Sequence, residues 1–182
     1  MTIYALSGMG ADARLFRGLG LPADVRHIAW TLPDGDPTLG AYAEGLIARH
    51  GIAAGDHVVG VSMGGLVGAE IALRVPLARL VLICSGTQPA HFGRGIRALA
   101  QLGRVAPLGI AQWMPDAHGA GTTATLWSMF RASDAGFLRW ACRAIARWPG
   151  AAPEPAALRI LGGRDRVFPC ARQRADHVIA EG

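Results

Sequence analysis

A serine held between glycines, Gly60-Val61-Ser62-Met63-Gly64, follows the apolar pair Val58-Val59 and precedes a helix-like stretch over 65–74. A strand that turns directly into a helix brings two backbones too close for ordinary side chains, and glycines on both sides of the turn make that approach possible. Such a turn lifts the serine hydroxyl at the rim of a sheet. It reads as a nucleophile elbow, and it ties this part of the chain to a strand-turn-helix unit.

The rest of the sequence fits an alternation of the same kind. Apolar runs over 3–6, 25–30, 57–61, 80–84, 158–161 and 177–179 read as strands. These runs are nearly continuous rather than alternating, which predicts strands buried on both faces in a mostly parallel sheet with helices on both sides. Pro33-Asp34-Gly35-Asp36-Pro37 reads as a loop, and Thr38 as the cap of a helix that runs to about His50, with Leu39, Tyr42, Ala43, Leu46 and Ile47 at helical spacing. From about 90 to 155 no strand-like run occurs, and four of the five tryptophans, Trp113, Trp127, Trp140 and Trp148, fall there. The expectation is an α/β fold in one domain: a core from 1–89 and 156–182, with a helical cap inserted over about 90–155.

Composition narrows the function. With 182 residues, 51% hydrophobic and 17% charged, the chain suits a single globular domain. Its net charge of +5 would suit a nucleic-acid partner, but all 18 basic residues are arginine, lysine and asparagine are both absent, and the arginines are scattered. A GC-rich coding bias explains that pattern, and no nucleic-acid partner is expected. Cys84, Cys142 and Cys170 lack C-x-x-C spacing, so neither a disulfide framework nor a metal site is indicated. No secretory leader is visible, and the apolar stretch 77–85 is broken by Arg79 and too short to span a bilayer. A cytoplasmic location is expected.

A serine hydroxyl becomes a nucleophile when a base takes its proton, an acid orients the base, and donors hold the oxyanion that forms. In elbow architectures one donor is the N–H after the nucleophile and the other comes from a loop after an earlier strand, here Met63 and Met9. Gly8 and Gly10 let the Met9 loop approach closely; as a phosphate loop it lacks the G-x-G-x-x-G spacing and any lysine. The acid is placed at Asp165, in the turn Gly162-Gly163-Arg164-Asp165 directly after a strand, with Asp134 and Asp116 as weaker alternatives. The blander readings are a tight glycine turn for Ser62 and a solvated turn carboxylate paired with Arg164 or Arg166 for Asp165.

Gly8-Met9-Gly10-Ala11-Asp12-Ala13-Arg14-Leu15-Phe16, the elbow, the stretch from Phe137 to Trp148 and the turn from Gly162 to Pro169 together resemble small bacterial α/β-hydrolases. The resemblance covers essentially the whole chain. It implies an α/β-hydrolase fold with a helical cap and a sheet reduced at its N-terminus, esterase or related hydrolase activity, and no cofactor. It also implies a histidine in a Gly-His turn after the last strand, whereas here that strand leads to Ala180-Glu181-Gly182. Of the histidines present, His27 and His177 read as strand residues, His50 closes a helix, His57 is at the wrong end of its strand and His118 lies in the insertion. His91 follows a strand at the right edge and is the remaining candidate base. The expectation is a carboxylic-ester hydrolase acting through an acyl-enzyme, truncated before its histidine and therefore binding substrate but turning it over poorly. The alternatives are a thioesterase, lyase or amide hydrolase on the same fold, or a non-catalytic binding protein. Trp113, Met114, Trp127, Met129, Phe130, Phe137 and Trp140 either line a pocket for a small apolar acyl substrate or form the core of the cap. The sequence gives no oligomeric state.

Overall fold

The computed structural model describes residues 1–17, 19–93, 122–152 and 154–180. Six strands, β1 (Ile3–Leu6), β2 (Arg26–Ile28), β3 (His57–Val61), β4 (Arg79–Ile83), β5 (Leu158–Gly162) and β6 (His177–Ile179), form one sheet in the order β2-β1-β3-β4-β5-β6. Every neighbouring pair is parallel. The described helices are α1 (Leu39–His50), α2 (Met63–Ala72), α3 (Thr122–Ala132) and α4 (Ala135–Arg147), with short 3-10 turns at Ala13–Phe16, Pro89–His91 and Cys170–Arg172. Among the described residues no helix is long and apolar enough to cross a membrane.

Local chemistry sets the helix ends. Thr38 Oγ1 accepts from the Ala41 N–H at 3.2 Å and starts α1, and Gly51, at φ 66°, ends it in the left-handed conformation that costs glycine least. The N-terminus of α4 is capped by Asp134, whose Oδ1 accepts from the Phe137 N–H at 2.7 Å. This capping role accounts for Asp134, set aside above as a weaker acid candidate. Three strands differ from their expected extents, β5 by running one residue further, to Gly162. β2 is limited to Arg26–Ile28, and β4 ends at Ile83 because Cys84 turns to φ 45°.

The core lies where α1 and α2 meet the central strands. Leu6, Val58, Leu66, Val67, Ile71 and Leu82 are buried within it. An aromatic cluster extends this core to α4: Trp140 is 4.5 Å from Tyr42 between ring centroids, and Phe137 stacks on Trp30 at 5.7 Å. The Trp140 indole N–H donates to the Pro37 carbonyl at 3.0 Å, and that of Trp148 to Glu70 Oε1 at 2.6 Å. Of the expected insertion, α3 and α4 are described, while Trp113, Met114, Asp116 and His118 lie outside the described residues.

Candidate active site

The C-terminal ends of parallel strands share one rim, and register shows what reaches it. Val61, Ile83, Ile160 and His177 form one row across β3, β4, β5 and β6. Ser62 lies one residue beyond that row, and Asp165 sits in the turn that follows β5, so both emerge at the same rim. The two strands that carry them are separated by β4, a backbone distance of about 10 Å at ordinary strand spacing. A side chain reaching in between could touch both.

Ser62 adopts φ 51° and ψ −118°, a conformation that non-glycine residues rarely hold and that surrounding packing must enforce. The enforcement is visible in three contacts. Its N–H donates to the Ile83 carbonyl at 3.0 Å, its carbonyl accepts from the Gly65 N–H at 2.9 Å, and the buried Ser85 hydroxyl donates to the same carbonyl at 2.7 Å. The crossing of β3 and α2 leaves no space for side chains. A Cβ on Gly60 would lie 2.6 Å from the Gly65 Cα, and one on Gly64 would lie 2.6 Å from the Leu6 carbonyl carbon. The Ser62 hydroxyl makes no hydrogen bond to any described residue.

Met63 opens α2, and the first N–H groups of a helix have no partner within it. The Met9 loop arrives from β1, with Gly8 so near Ser62 that a Cβ built on it would be 3.6 Å from the Ser62 Cβ. Neither the Met9 N–H nor the Met63 N–H donates to any described residue. The loop itself is held from several sides. The Ala11 N–H and the Trp30 indole N–H both donate to the Gly8 carbonyl, at 3.1 and 3.2 Å. Cys142 of α4 donates through sulfur to the Met9 thioether at 3.8 Å, and the Asp12 N–H meets the Met129 sulfur at 3.4 Å. At the loop's outer end Asp12 pairs with Arg14, whose guanidinium holds the Asp12 carboxyl below its ordinary range.

Asp165 Oδ1 accepts the N–H groups of Val167 and Phe168 at 2.7 and 2.9 Å, so the turn fixes the carboxylate from its own backbone. The Cys84 thiol, one residue past the end of β4, lies beside it. Burial pushes that thiol up, and the adjacent Asp165 carboxylate acts in the same direction. The neutral thiol is therefore favoured. Sequence reasoning took Cys84 as the last residue of the fourth strand, whereas in the structure it follows the strand end beside Asp165.

The described histidines fall elsewhere. His91 Nδ1 accepts from the Thr87 N–H at 3.2 Å, and burial lowers its pKa, with Glu154 opposing and Arg159 assisting that shift. Among the described residues no histidine hydrogen-bonds Ser62 or Asp165. A cavity of about 620 Å³ is lined by Ser7 and Ala11 of the Met9 loop, by Trp30, Met129 and Phe137, and by Arg14 and His27; Ser62 is not among its walls. Trp140 is buried against Tyr42 and Pro37 instead, and Trp127 stacks on Phe130.

Comparison with known proteins agrees with this architecture. The sequence profile of the alpha/beta hydrolase family matches residues 3–181. No curated relative matches the sequence. Among solved structures, a thermophilic esterase from Thermogutta terrifontis superposes with a TM-score of 0.70 at 19% identity, over 100% of this chain and 81% of that one. The enol-lactonase from Burkholderia xenovorans LB400 gives 0.69 at 19% identity, over 97% and 81% of the two chains. A hydrolase from Pseudomonas aeruginosa PA01 gives 0.65 at 21% identity, over 98% and 80%. At these identities the likeness is one of fold.

Proposed function

The chain belongs to the alpha/beta hydrolase family, and from that premise we propose that it is a serine hydrolase that cleaves a carboxylic ester of a small, largely apolar acyl group. One observation carries the reading: Ser62 is held at positive φ at the rim of β3, with its hydroxyl uncommitted, beside two backbone N–H groups that donate to no described residue. The Met63 N–H is open as the first of its helix, and the Met9 N–H, among the described residues, is open on a separate loop. They suit an oxygen that becomes negative only during reaction.

In this scheme the Ser62 oxygen attacks the ester carbonyl, and the Met9 and Met63 N–H groups hold the tetrahedral oxyanion. Collapse expels the alcohol and leaves an acyl-enzyme, which water hydrolyses. Asp165, already fixed by its own turn, would orient the general base, an imidazole that no described histidine supplies and that the family resemblance expects in a Gly-His turn after β6; that ring takes the Ser62 proton during attack and passes it to the leaving alcohol. The space between the ends of β3 and β5 is where that ring would stand, over the neutral Cys84 thiol. Met129 and Phe137, in the wall of the 620 Å³ cavity, are the apolar surface on offer beside the Met9 loop.

Labelling with a fluorophosphonate, followed by hydrolysis of matched p-nitrophenyl ester, thioester and anilide substrates, tests the assignment. Ser62 should be the labelled residue, Ser62→Ala should abolish both labelling and turnover, and the ester should be the best substrate. Labelling that survives Ser62→Ala would overturn the nucleophile, and a preference for thioester or anilide would move the substrate class.

A further inference from the structure

The geometry points to Trp30 as a positioning residue for the oxyanion-binding loop, an assignment that rests on the hydrolase reading above. One peptide unit joins the Gly8 carbonyl to the Met9 N–H. A peptide is planar and trans, so its C=O and N–H point in opposite directions. Whatever holds the Gly8 carbonyl therefore also aims the Met9 N–H. Two donors hold that carbonyl from the side of the loop interior, the Ala11 N–H at 3.1 Å and the Trp30 indole N–H at 3.2 Å. The Met9 N–H is then turned away from both, on a loop whose Gly8 lies against Ser62.

Of the two donors, the Ala11 N–H belongs to the loop itself and moves with it. Trp30 is different because it is anchored outside the loop, one residue beyond the Ala29 that follows β2. Its ring stacks on Phe137 of α4 at 5.7 Å and lies 6.1 Å from Tyr42 of α1, and the Tyr42 hydroxyl in turn donates to the Thr31 carbonyl at 3.0 Å. The indole thus ties one flexible glycine carbonyl to two helices. Glycine at position 8 leaves the peptide free to rotate, so an external restraint is needed to hold a single orientation before substrate arrives. A donor that is already aimed spares the reaction the cost of reorienting it.

The test separates the hydrogen bond from the ring. Trp30→Phe keeps an aromatic ring against Phe137 and removes the N–H; site-specific replacement of Trp30 by β-(3-benzothienyl)alanine keeps the whole bicyclic shape and substitutes sulfur for N–H. Both are assayed as the full-length protein with a p-nitrophenyl ester, alongside thermal unfolding. With one of the two carbonyl donors gone, kcat should fall about tenfold with KM within twofold, short of the ~100- to 1000-fold loss for outright removal of an oxyanion donor. The benzothienyl variant should show this loss at wild-type thermal stability, and it decides the matter if Trp30→Phe does not fold. An active wild type with unchanged kcat in the benzothienyl variant would overturn the role of Trp30 alone. Equal losses in kcat and thermal stability that are absent from the benzothienyl variant would make Trp30 merely structural. A wild type that neither hydrolyses esters nor labels at Ser62 would overturn the hydrolase reading itself, and this assignment with it.

Discussion

A methyl group on Gly64 would strike the carbonyl oxygens of Leu6 and Ser7, because α2 starts directly against the end of β1. Both obstacles are backbone, so relief requires moving the helix rather than turning a side chain. Gly64→Ala should therefore destabilise the fold by about 1–3 kcal/mol, as overpacking of a tight interior does. The same shift should displace the Met63 N–H from Ser62 and lower esterase turnover by more than stability alone explains. Urea unfolding and kcat measured on one preparation would check both. At this scale the sharp strand-to-helix turn at Ser62 was legible because glycine spacing and strand context are written locally, in five consecutive residues. Trp30 and Cys84 were not. What they contact, the Gly8 carbonyl 22 positions away and the Asp165 carboxylate, is set by the tertiary fold, and no local pattern encodes such meetings.

The strands illustrate a related limit. Apolar runs located all six, yet the ends of β2 and β4 shifted because pairing and backbone turns, rather than composition, terminate a strand. The start of the β1–β3 ladder is braced by one residue that pattern reading passed over. Asp56, just before β3, accepts from the Thr2 N–H at 2.7 Å and from the Ala53 N–H at 3.0 Å, clamping the start of β1 to the turn after α1. These backbone donors, Ala53 foremost, hold its carboxyl below the ordinary carboxylate range. The unfolded chain therefore takes up the proton first on acidification. The stabilisation is complete above the unfolded carboxylate's pKa, near pH 4, and is lost as pH falls through the lower folded value. Asp56→Asn should be less stable at neutral pH and show a flatter decline below about pH 4. Denaturant midpoints measured between neutrality and strong acid would reveal it, and identical pH profiles for the two proteins would refute the clamp.

Across the whole molecule, a single buried carboxylate joins three helices. Glu70 of α2 is 6% exposed, accepts the Trp148 indole N–H at the end of α4, and pairs with Arg74 at 2.7 Å, while Arg74 reaches Glu44 of α1 at 2.8 Å. The burial of Glu70 is tolerated because the Trp148 indole N–H and the Arg74 guanidinium both donate to its carboxylate oxygens. Truncating it leaves a buried indole N–H and a guanidinium without their acceptor, which costs about 3–5 kcal/mol in comparable pairs. Arg74 retains partial exposure and its Glu44 contact, so the lower end applies, about 3 kcal/mol. For a domain of this size each kcal/mol corresponds to about 2–4 °C, and Glu70→Ala should lower Tm by about 6–12 °C. The change should also reach the candidate site, since α4 carries Cys142 against Met9 and Phe137 against Trp30. Loosening α4 from α2 therefore predicts reduced turnover well below Tm, together with a red-shifted tryptophan emission as Trp148 gains water. Loss of stability with full retention of turnover at low temperature would mean that α4 supports the fold without supporting the loop.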